Sequence, residues 1–458
     1  MRSRFSPVTS LGILVGLFLV GCNSAVVPSP SAAPAQPSRS TSTIATPSSG
    51  SGQSLTPTPS RSAAPPSKPA VWLDAGRLHE PRDATHVVVV GKGEVLVVGS
   101  DYMTSWMSAC GASTNGSDSV EIGNPQTGVW KTTTKLPNLR DAPAVVALPD
   151  GRALVTGGAA GESVGWSAYS STYVFDPATR RWSRSGLLNT ARTATAAAVL
   201  LDGRVLVAGG TYLDRASQDA TRTLDTAEIW DPRTGGWSQA GRLEKTRDSA
   251  SAVTLADGRV LIVGGTVNLE SAPIQQASAE IYDPTTGRWS AAGTLATARS
   301  GFVLVALRDG GAIAAGGLGG LGTTGSAYLL TVERFDPVAN SWSPTGDLPT
   351  PVAGATGLRL ADGRVLLAGG SAGAPQQFGD DPSTFVTGLT ADAELFDPAS
   401  GMWTATTPMP SPRAGASAVL LTDGSAVFAG GSASEGEIDS TPGCPEAHPQ
   451  VVRYVPGS

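Results

Sequence analysis

From residue 71 onward, short runs of Val, Leu, Ile and Ala alternate with turn residues, and two blocks of this kind recur. One reads LLDGRVLVAGG ending at Gly210, LADGRVLIVGG ending at Gly265 and LADGRVLLAGG ending at Gly370. The other reads AEIWDPRTGGW from Ala227 to Trp237, AEIYDPTTGRW from Ala279 to Trp289 and AELFDPASGMW from Ala393 to Trp403. In the first block an Asp-Gly pair between two apolar runs predicts a tight hairpin, since Asp-Gly tolerates the positive φ of a type I′ turn. In the second, apolar runs beside Asp-Pro and Thr-Gly turns predict two more strands.

The spacing sets the number of units. Trp72, Trp130, Trp182, Trp237, Trp289, Trp342 and Trp403 are each followed 27 residues later by a glycine: Gly99, Gly157, Gly209, Gly264, Gly316, Gly369 and Gly430. The distance from that glycine to the next Trp varies from 25 to 34 residues. Four strands per unit, repeated seven times with one rigid and one variable half, predict an all-β, seven-bladed β-propeller over residues 71 to 458. The last unit offers only QVVRY, Gln450 to Tyr454, after its hairpin, so its outer strand is expected to be Val71 to Gly76, which closes the ring and covers the strand edges of an open array. A six-unit ring with frayed ends is the alternative, and it strands Trp72 and Tyr454.

With its paired glycines, an aromatic some twenty residues later and a Trp beyond, this region resembles the kelch repeat family, including the central domain of galactose-oxidase-like proteins. The resemblance implies a propeller. It leaves function open, because kelch domains include protein-binding modules, copper-radical oxidases of sugars or aldehydes, and sialic acid isomerases. The oxidase site calls for a Tyr cross-linked to Cys, a second Tyr and two His, whereas this chain has His79, His86 and His448, all near the seam. No metal and no cofactor is assigned on this basis. In strand-to-helix context the sequence holds neither a Gly-x-Ser-x-Gly elbow nor a phosphate-cradling glycine loop.

The N-terminal segment changes the setting. Arg2 and Arg4, an apolar run from Leu11 to Val20, and a small residue before Cys22 make residues 1 to 21 a predicted export signal. Leu19-Val20-Gly21-Cys22 resembles the lipobox of bacterial lipoproteins, which implies lipidation at Cys22 and a place on the outer face of the cell membrane. Residues 22 to 70 carry no Asp or Glu and few large apolar side chains, the composition of a disordered stalk. Net charge is −6 overall, and residues 71 to 458 hold 27 Lys and Arg against 38 Asp and Glu, a balance of −11 that argues against a nucleic-acid partner. Cys110 and Cys444 fall in the variable segments of the first and last units and are expected to form a disulfide across the seam, worth ~5 to 6 kcal/mol at most in the loop-entropy picture.

Candidate chemistry lies on the face that carries the variable segments. From first glycine to aromatic position takes 18 to 21 residues in units two to five, 27 in unit six and 24 in units seven and one. These three long segments place Tyr102, Trp106, Phe378, Asp380, Asp381, Phe385, Glu435 and His448 together as candidate binding residues. Aromatic rings beside carboxylates suit glycans, with apolar faces on C–H surface and carboxylates on hydroxyls. On the same face an Arg recurs before the innermost strand, and a Glu begins the third strand in most units. Arg192 with Glu228, Arg247 with Glu280, and Arg299 with Glu333 are expected to pair structurally, the alternative being a ring of anion receptors. The resulting expectation is a lipid-anchored, monomeric binding module for glycan or protein, with a carbohydrate-active enzyme, oxidase or isomerase, as the rival.

Overall fold

The computed structural model describes residues 68–82, 85–99, 117–162, 165–213, 221–268, 273–320, 327–377, 385–433 and 446–457. Among them every regular element is a β-strand. Seven sheets share one antiparallel order, running from innermost to outermost strand. In the third sheet the strands are Ala196–Val199, Val205–Ala208, Thr226–Trp230 and Trp237–Arg242. These sheets are numbered here as blades one to seven, beginning with the sheet that opens at Thr85. Their innermost strands neighbour one another in cyclic order, with Ser417–Leu420 of blade seven beside Thr85–Val90 of blade one.

The chain termini share a sheet. Val71–Arg82 pairs antiparallel with Glu446–Val455, setting Trp72 opposite Tyr454 and Leu73 opposite Arg453. The strand runs past Gly76, where the sequence suggests an end, because a register shift after Asp74 lets it continue beside Gln450 and His448. Gly76 has φ of 93°, and a Cβ there would meet the Gly128 carbonyl oxygen at 2.1 Å, so the close approach to blade one requires glycine. Across the seam Val87, Val95, Val97 and Trp130 pack on Val419, Leu421 and Val427, as apolar as any other junction between blades. Thr85 Oγ1 donates to the Ala429 carbonyl at 3.0 Å, and Ser417 Oγ accepts the Val87 N–H at 3.2 Å.

The Asp-Gly turns differ from the expected type I′. At Asp202-Gly203 only the glycine has positive φ, 84°, and its N–H donates to Leu200 O at 2.9 Å while Leu200 N donates to Arg204 O at 2.8 Å. This is a three-residue turn closed by a left-handed glycine. Asp202 favours it because Oδ1 accepts the Arg204 N–H at 3.1 Å, satisfying a donor that a two-residue turn would have placed in the ladder.

The recurring Trp joins neighbouring blades. Nε1 of Trp130, Trp182, Trp289 and Trp342 donates to Ala75, Thr134, Ala240 and Ala292 carbonyls of the preceding blade at 2.7 to 2.9 Å. Trp72 does the same to Thr407 at 2.7 Å and lies edge-on to Phe428 and Tyr454, with ring centroids 5.2 and 5.1 Å away. Trp72→Ala is therefore expected to cost about 3 to 5 kcal/mol. Val338→Ser, at a side chain 95% exposed, should cost less than about 0.5 kcal/mol. Urea unfolding of the two variants beside the parent protein checks both values, and equal midpoints would contradict the role given to Trp72.

Candidate binding face

In a four-stranded antiparallel blade the connections between strands two and three share a face with the crossings between blades. On that face the connections form two-stranded ribbons of unequal length. Blade three has Thr211–Tyr212 with Arg222–Thr223, whereas blade six has Ser371–Gln377 with Phe385–Leu389. Beneath these ribbons lies a far more uniform layer, built from the recurring arginines.

Arg82, Arg140, Arg192, Arg247, Arg299 and Arg413 are all at most 1% exposed. Each sits in the crossing that enters its blade, and a buried guanidinium must have its donors filled. In blade three, Arg192 Nη1 donates to the Gly209 and Thr226 carbonyls, both at 2.8 Å, and Nη2 donates to Glu228 Oε1 at 2.8 Å. Blade four repeats this with Gly264, Ser278 and Glu280 at 3.0, 2.9 and 2.8 Å. Blade five repeats it with Gly316, Thr331 and Glu333 at 3.0, 2.9 and 2.8 Å. In blade one Arg82 meets Glu121 at 3.4 Å. The glutamates also accept main-chain N–H groups of their own crossing: Asn189 and Thr190 on Glu228, Glu244 and Lys245 on Glu280, Ala296 and Thr297 on Glu333. Burial draws the guanidinium pKa of Arg192, Arg247 and Arg299 down while the paired carboxylate pulls it back up. With Nη1 and Nη2 of Arg192, Arg247 and Arg299 engaged by these partners, the guanidiniums form part of the frame rather than open anion receptors.

Three blades depart from the pattern. Blade two has Tyr173 where the Glu would stand, and Arg140 lies 5.0 and 5.1 Å from the ring centroids of Tyr169 and Tyr173, with its pKa lowered to about 10, chiefly by burial. Blade seven has Val452 in that place. Blade six keeps its glutamate, Glu394, but holds Val352 where the Arg belongs: the Gly317 N–H donates to the Val352 carbonyl at 2.8 Å as the Gly265 N–H does to that of Arg299 at 3.2 Å. Glu394 is 6% exposed and its Oε2 has no hydrogen-bond partner. Its carboxyl is pushed up to about 7, first by burial and then by Asp392 nearby. The sequence carried the sign of this site in Glu394 without a matching Arg. What went unread was Pro349, which stands where Ala296 of blade five offers an N–H.

The residues proposed from the sequence fall in several places. Tyr102, Trp106, Phe378, Asp380, Asp381 and Glu435, like Cys22, Cys110 and Cys444, lie outside the described residues. Phe385 pairs with Gln377 at the tip of the blade-six ribbon. His448 is 6% exposed, so its ring is not offered to a ligand. Nδ1 lies 3.2 Å from the Gln450 N–H, and Nε2 lies 2.8 Å from Ser411 Oγ and 3.4 Å from Arg413 Nη2. Burial lowers the His448 pKa to about 4, with Arg413 and Arg77 adding to the effect.

The inner rim is a strained backbone ring. Ala142, Ala194 and Ser249 have φ of 45°, 50° and 49°. Ala194 N donates to Ala142 O at 3.1 Å, Ser249 N to Ala194 O at 2.9 Å, and Gly354 N to Gly301 O and Gly415 N to Gly354 O, both at 2.9 Å. Each non-glycine conformer costs about 1 kcal/mol, offset by a bond to the next blade. One cavity beside this rim, lined by Ser251, Phe302, Thr356 and Ala416, offers water about 30 Å³.

Similarities to known proteins agree with this architecture. Residues 192–244 and 249–296 match the Kelch motif. The chain is 26% identical over 296 residues to "Kelch-like protein terF" of Aspergillus terreus (strain NIH 2624 / FGSC A1156), covering 63% of this chain and 61% of that protein, so it spans about three fifths of the relative's length. Among solved structures it is similar to "Novel fungal alcohol oxidase with catalytic diversity among the AA5 family, in complex with copper", at TM-score 0.60 and 20% identity over 84% of this chain and 76% of that one. It is also similar to the chain titled "Structure of YjhT", at TM-score 0.51 and 15% identity over 72% of this chain and 99% of that one. The sheets form a β-propeller, and the motif matches and structural similarities support a propeller of kelch type. The copper in the first structure belongs to that protein. Here His79 Nδ1 lies 2.9 Å from Glu121, His86 is buried in blade one with a pKa lowered to about 4, and His448 is engaged by Ser411. Among the described residues no three His, Cys, Asp or Glu side chains stand together as a metal site, and the histidines do not fit a copper centre.

Two outcomes follow from this geometry. Arg247→Ala should destabilise by about 3 to 5 kcal/mol, because it leaves Glu280 buried without its cation, and chemical denaturation measures it. Glu394 contributes with the opposite sign to a carboxylate held by a cation. Its folded pKa near 7 exceeds the ordinary 4.5, so between those values the folded state keeps a proton that the unfolded state has lost. Stability from this group is lost as pH rises across that window, by about 1 to 3 kcal/mol. The stability difference between the parent protein and Glu394→Gln, measured at pH 4.5 and pH 8, should shift in favour of the variant at the higher pH.

Proposed function

We propose that this chain is a non-catalytic binding module, held on the outer face of the cell membrane through lipid on Cys22 and a stalk over residues 22 to 70, and that it takes a protein or glycan ligand on the ribbon-bearing face. The observation that carries the reading is the contrast between the two layers of that face. The buried Arg–Glu pairing repeats in blades three, four and five, whereas the ribbons above it differ in length and, among the described residues, are longest in blade six. A rigid frame carrying divergent connections is the arrangement in which recognition is placed on loops.

Tyr102, Trp106, Phe378, Asp380, Asp381, Phe385 and Glu435 are the side chains proposed to meet the ligand, as a monomer and without a cofactor. Screening residues 68 to 458 against arrayed glycans, cell-wall fragments and surface proteins tests the proposal. Trp106→Ala and Phe385→Ala should each weaken capture by about tenfold or more without shifting the melting temperature. Cys22→Ser should release the full chain from membranes. Turnover of an oxidisable or isomerisable sugar by the purified domain would replace this reading with a carbohydrate-active enzyme.

A further inference from the structure

Comparing the blades isolates a rule and one exception to it. In blades one, three, four and five, the residues that follow the crossing leucine (His79, Asn189, Glu244 and Ala296) donate an N–H to the blade's glutamate, and an Arg supplies the cation. In blades two and seven that position is Pro137 or Pro410, without an N–H, and the glutamate is replaced by Tyr173 or Val452. Blade six alone has the proline, Pro349, and keeps the glutamate, Glu394, while also exchanging the Arg for Val352. The carboxyl has lost both a main-chain donor and its cation, yet it stays buried with Oε2 unpartnered.

The rest of the cation's setting is intact. The Gly369 and Asp392 carbonyls occupy the positions that receive Nη1 in the sister blades; Gly369 N donates to Asp392 O at 2.9 Å, as Gly209 N does to Thr226 O at 3.1 Å. Where those blades place the hydroxyl of Thr226, Ser278 or Thr331, blade six places the exposed carboxylate of Asp392. Two carboxylates and two main-chain carbonyls therefore stand where a planar N–H cation sits in the sister blades. We propose that this notch in blade six, formed by Glu394, Asp392 and the carbonyls of Gly369 and Asp392, binds an arginine side chain presented by a protein partner. The sister blades show a guanidinium seated on the same main-chain positions, with donors 2.8 to 3.0 Å away, which favours arginine over a hydrated inorganic cation. An incoming cation would relieve the burial and the repulsion from Asp392 that Glu394 now bears. This deepens the binding role proposed above and rests on it, since it names the group that the ribbon face would take from its partner.

The experiment is calorimetric titration of residues 68 to 458 with N-acetyl-arginine amide at pH 8, alongside N-acetyl-lysine amide, glucosamine and calcium. The expected result is saturable 1:1 binding of the arginine probe, tighter than that of the other three. Glu394→Gln should weaken it at least about tenfold. Val352→Arg, which supplies the guanidinium from within, should abolish it and raise the melting temperature. The second variant keeps the idea falsifiable if the first does not fold. No saturable arginine binding, binding unchanged in both variants, or preference for calcium or glucosamine would overturn the proposal. Capture of a protein through Trp106 and Phe385 with no arginine response refutes the notch and leaves the binding module standing. An arginine response with no macromolecule captured supports the notch and removes the wider reading.

Discussion

The buried guanidinium is the constraint that gives this propeller its regular interior. Placing a charge in a blade costs several kcal/mol unless every direction of its fork meets an acceptor. Arg192 meets that demand by joining the crossing that enters the blade, the carbonyl that follows the second strand and the first residues of the third. The same seventeen-residue reach from Arg to glycine carbonyl recurs in blades one, three, four and five. That reach accompanies the constant distance from Trp to glycine, which blade six keeps with Val352 in place of the Arg, so the hairpin holds its length without the guanidinium as well. Beyond that carbonyl nothing in the layer measures length, so the ribbons differ.

The glutamates extend the same logic to the crossing. A carboxylate that accepts two successive main-chain N–H groups and a guanidinium is fully occupied, and its occupants hold the crossing against the third strand. Remove one N–H by proline and the carboxylate becomes costly to bury, which accounts for Tyr173 and Val452 in the blades that carry Pro137 and Pro410. In blade two the cation left over is sheltered between two tyrosine rings. Blade six retains the cost, and its carboxyl responds as a buried acid without partners does, by holding its proton to higher pH.

Much of the frame was legible in the sequence because it rests on spacing. The constant interval from Trp to glycine gave the blades, and Trp72 without a preceding aromatic pointed to Tyr454, beside which it lies. The turn type was misjudged because Asp-Gly serves two geometries, and the choice is made by where the Arg204 N–H finds its acceptor. The strand from Val71 was read too short because Gly76 looks like a terminator, whereas a register shift carries the pairing through it. His448 was grouped with ligand-facing side chains by its place in a long segment, and only the Ser411 and Gln450 contacts reveal that it points inward. Length arguments locate a segment on a face; they carry no information on which way one ring in it turns.

The seven copies also act as internal controls, which a single-site protein lacks. Each blade contacts mainly its neighbours, so a local loss of satisfaction need not spread around the ring. The strained residues at the rim show the arrangement at its tightest: Ala142 and Ala194 adopt left-handed backbone because each exchange of a hydrogen bond between blades compensates for it. Against that background Glu394 differs from the other repeated glutamates, because it keeps a buried oxygen without a hydrogen-bond partner and lacks the Arg that faces them. Departures from local consistency in an otherwise consistent fold concentrate where function is placed. Among the described residues blade six also carries the longest ribbon, Ser371–Gln377 with Phe385–Leu389.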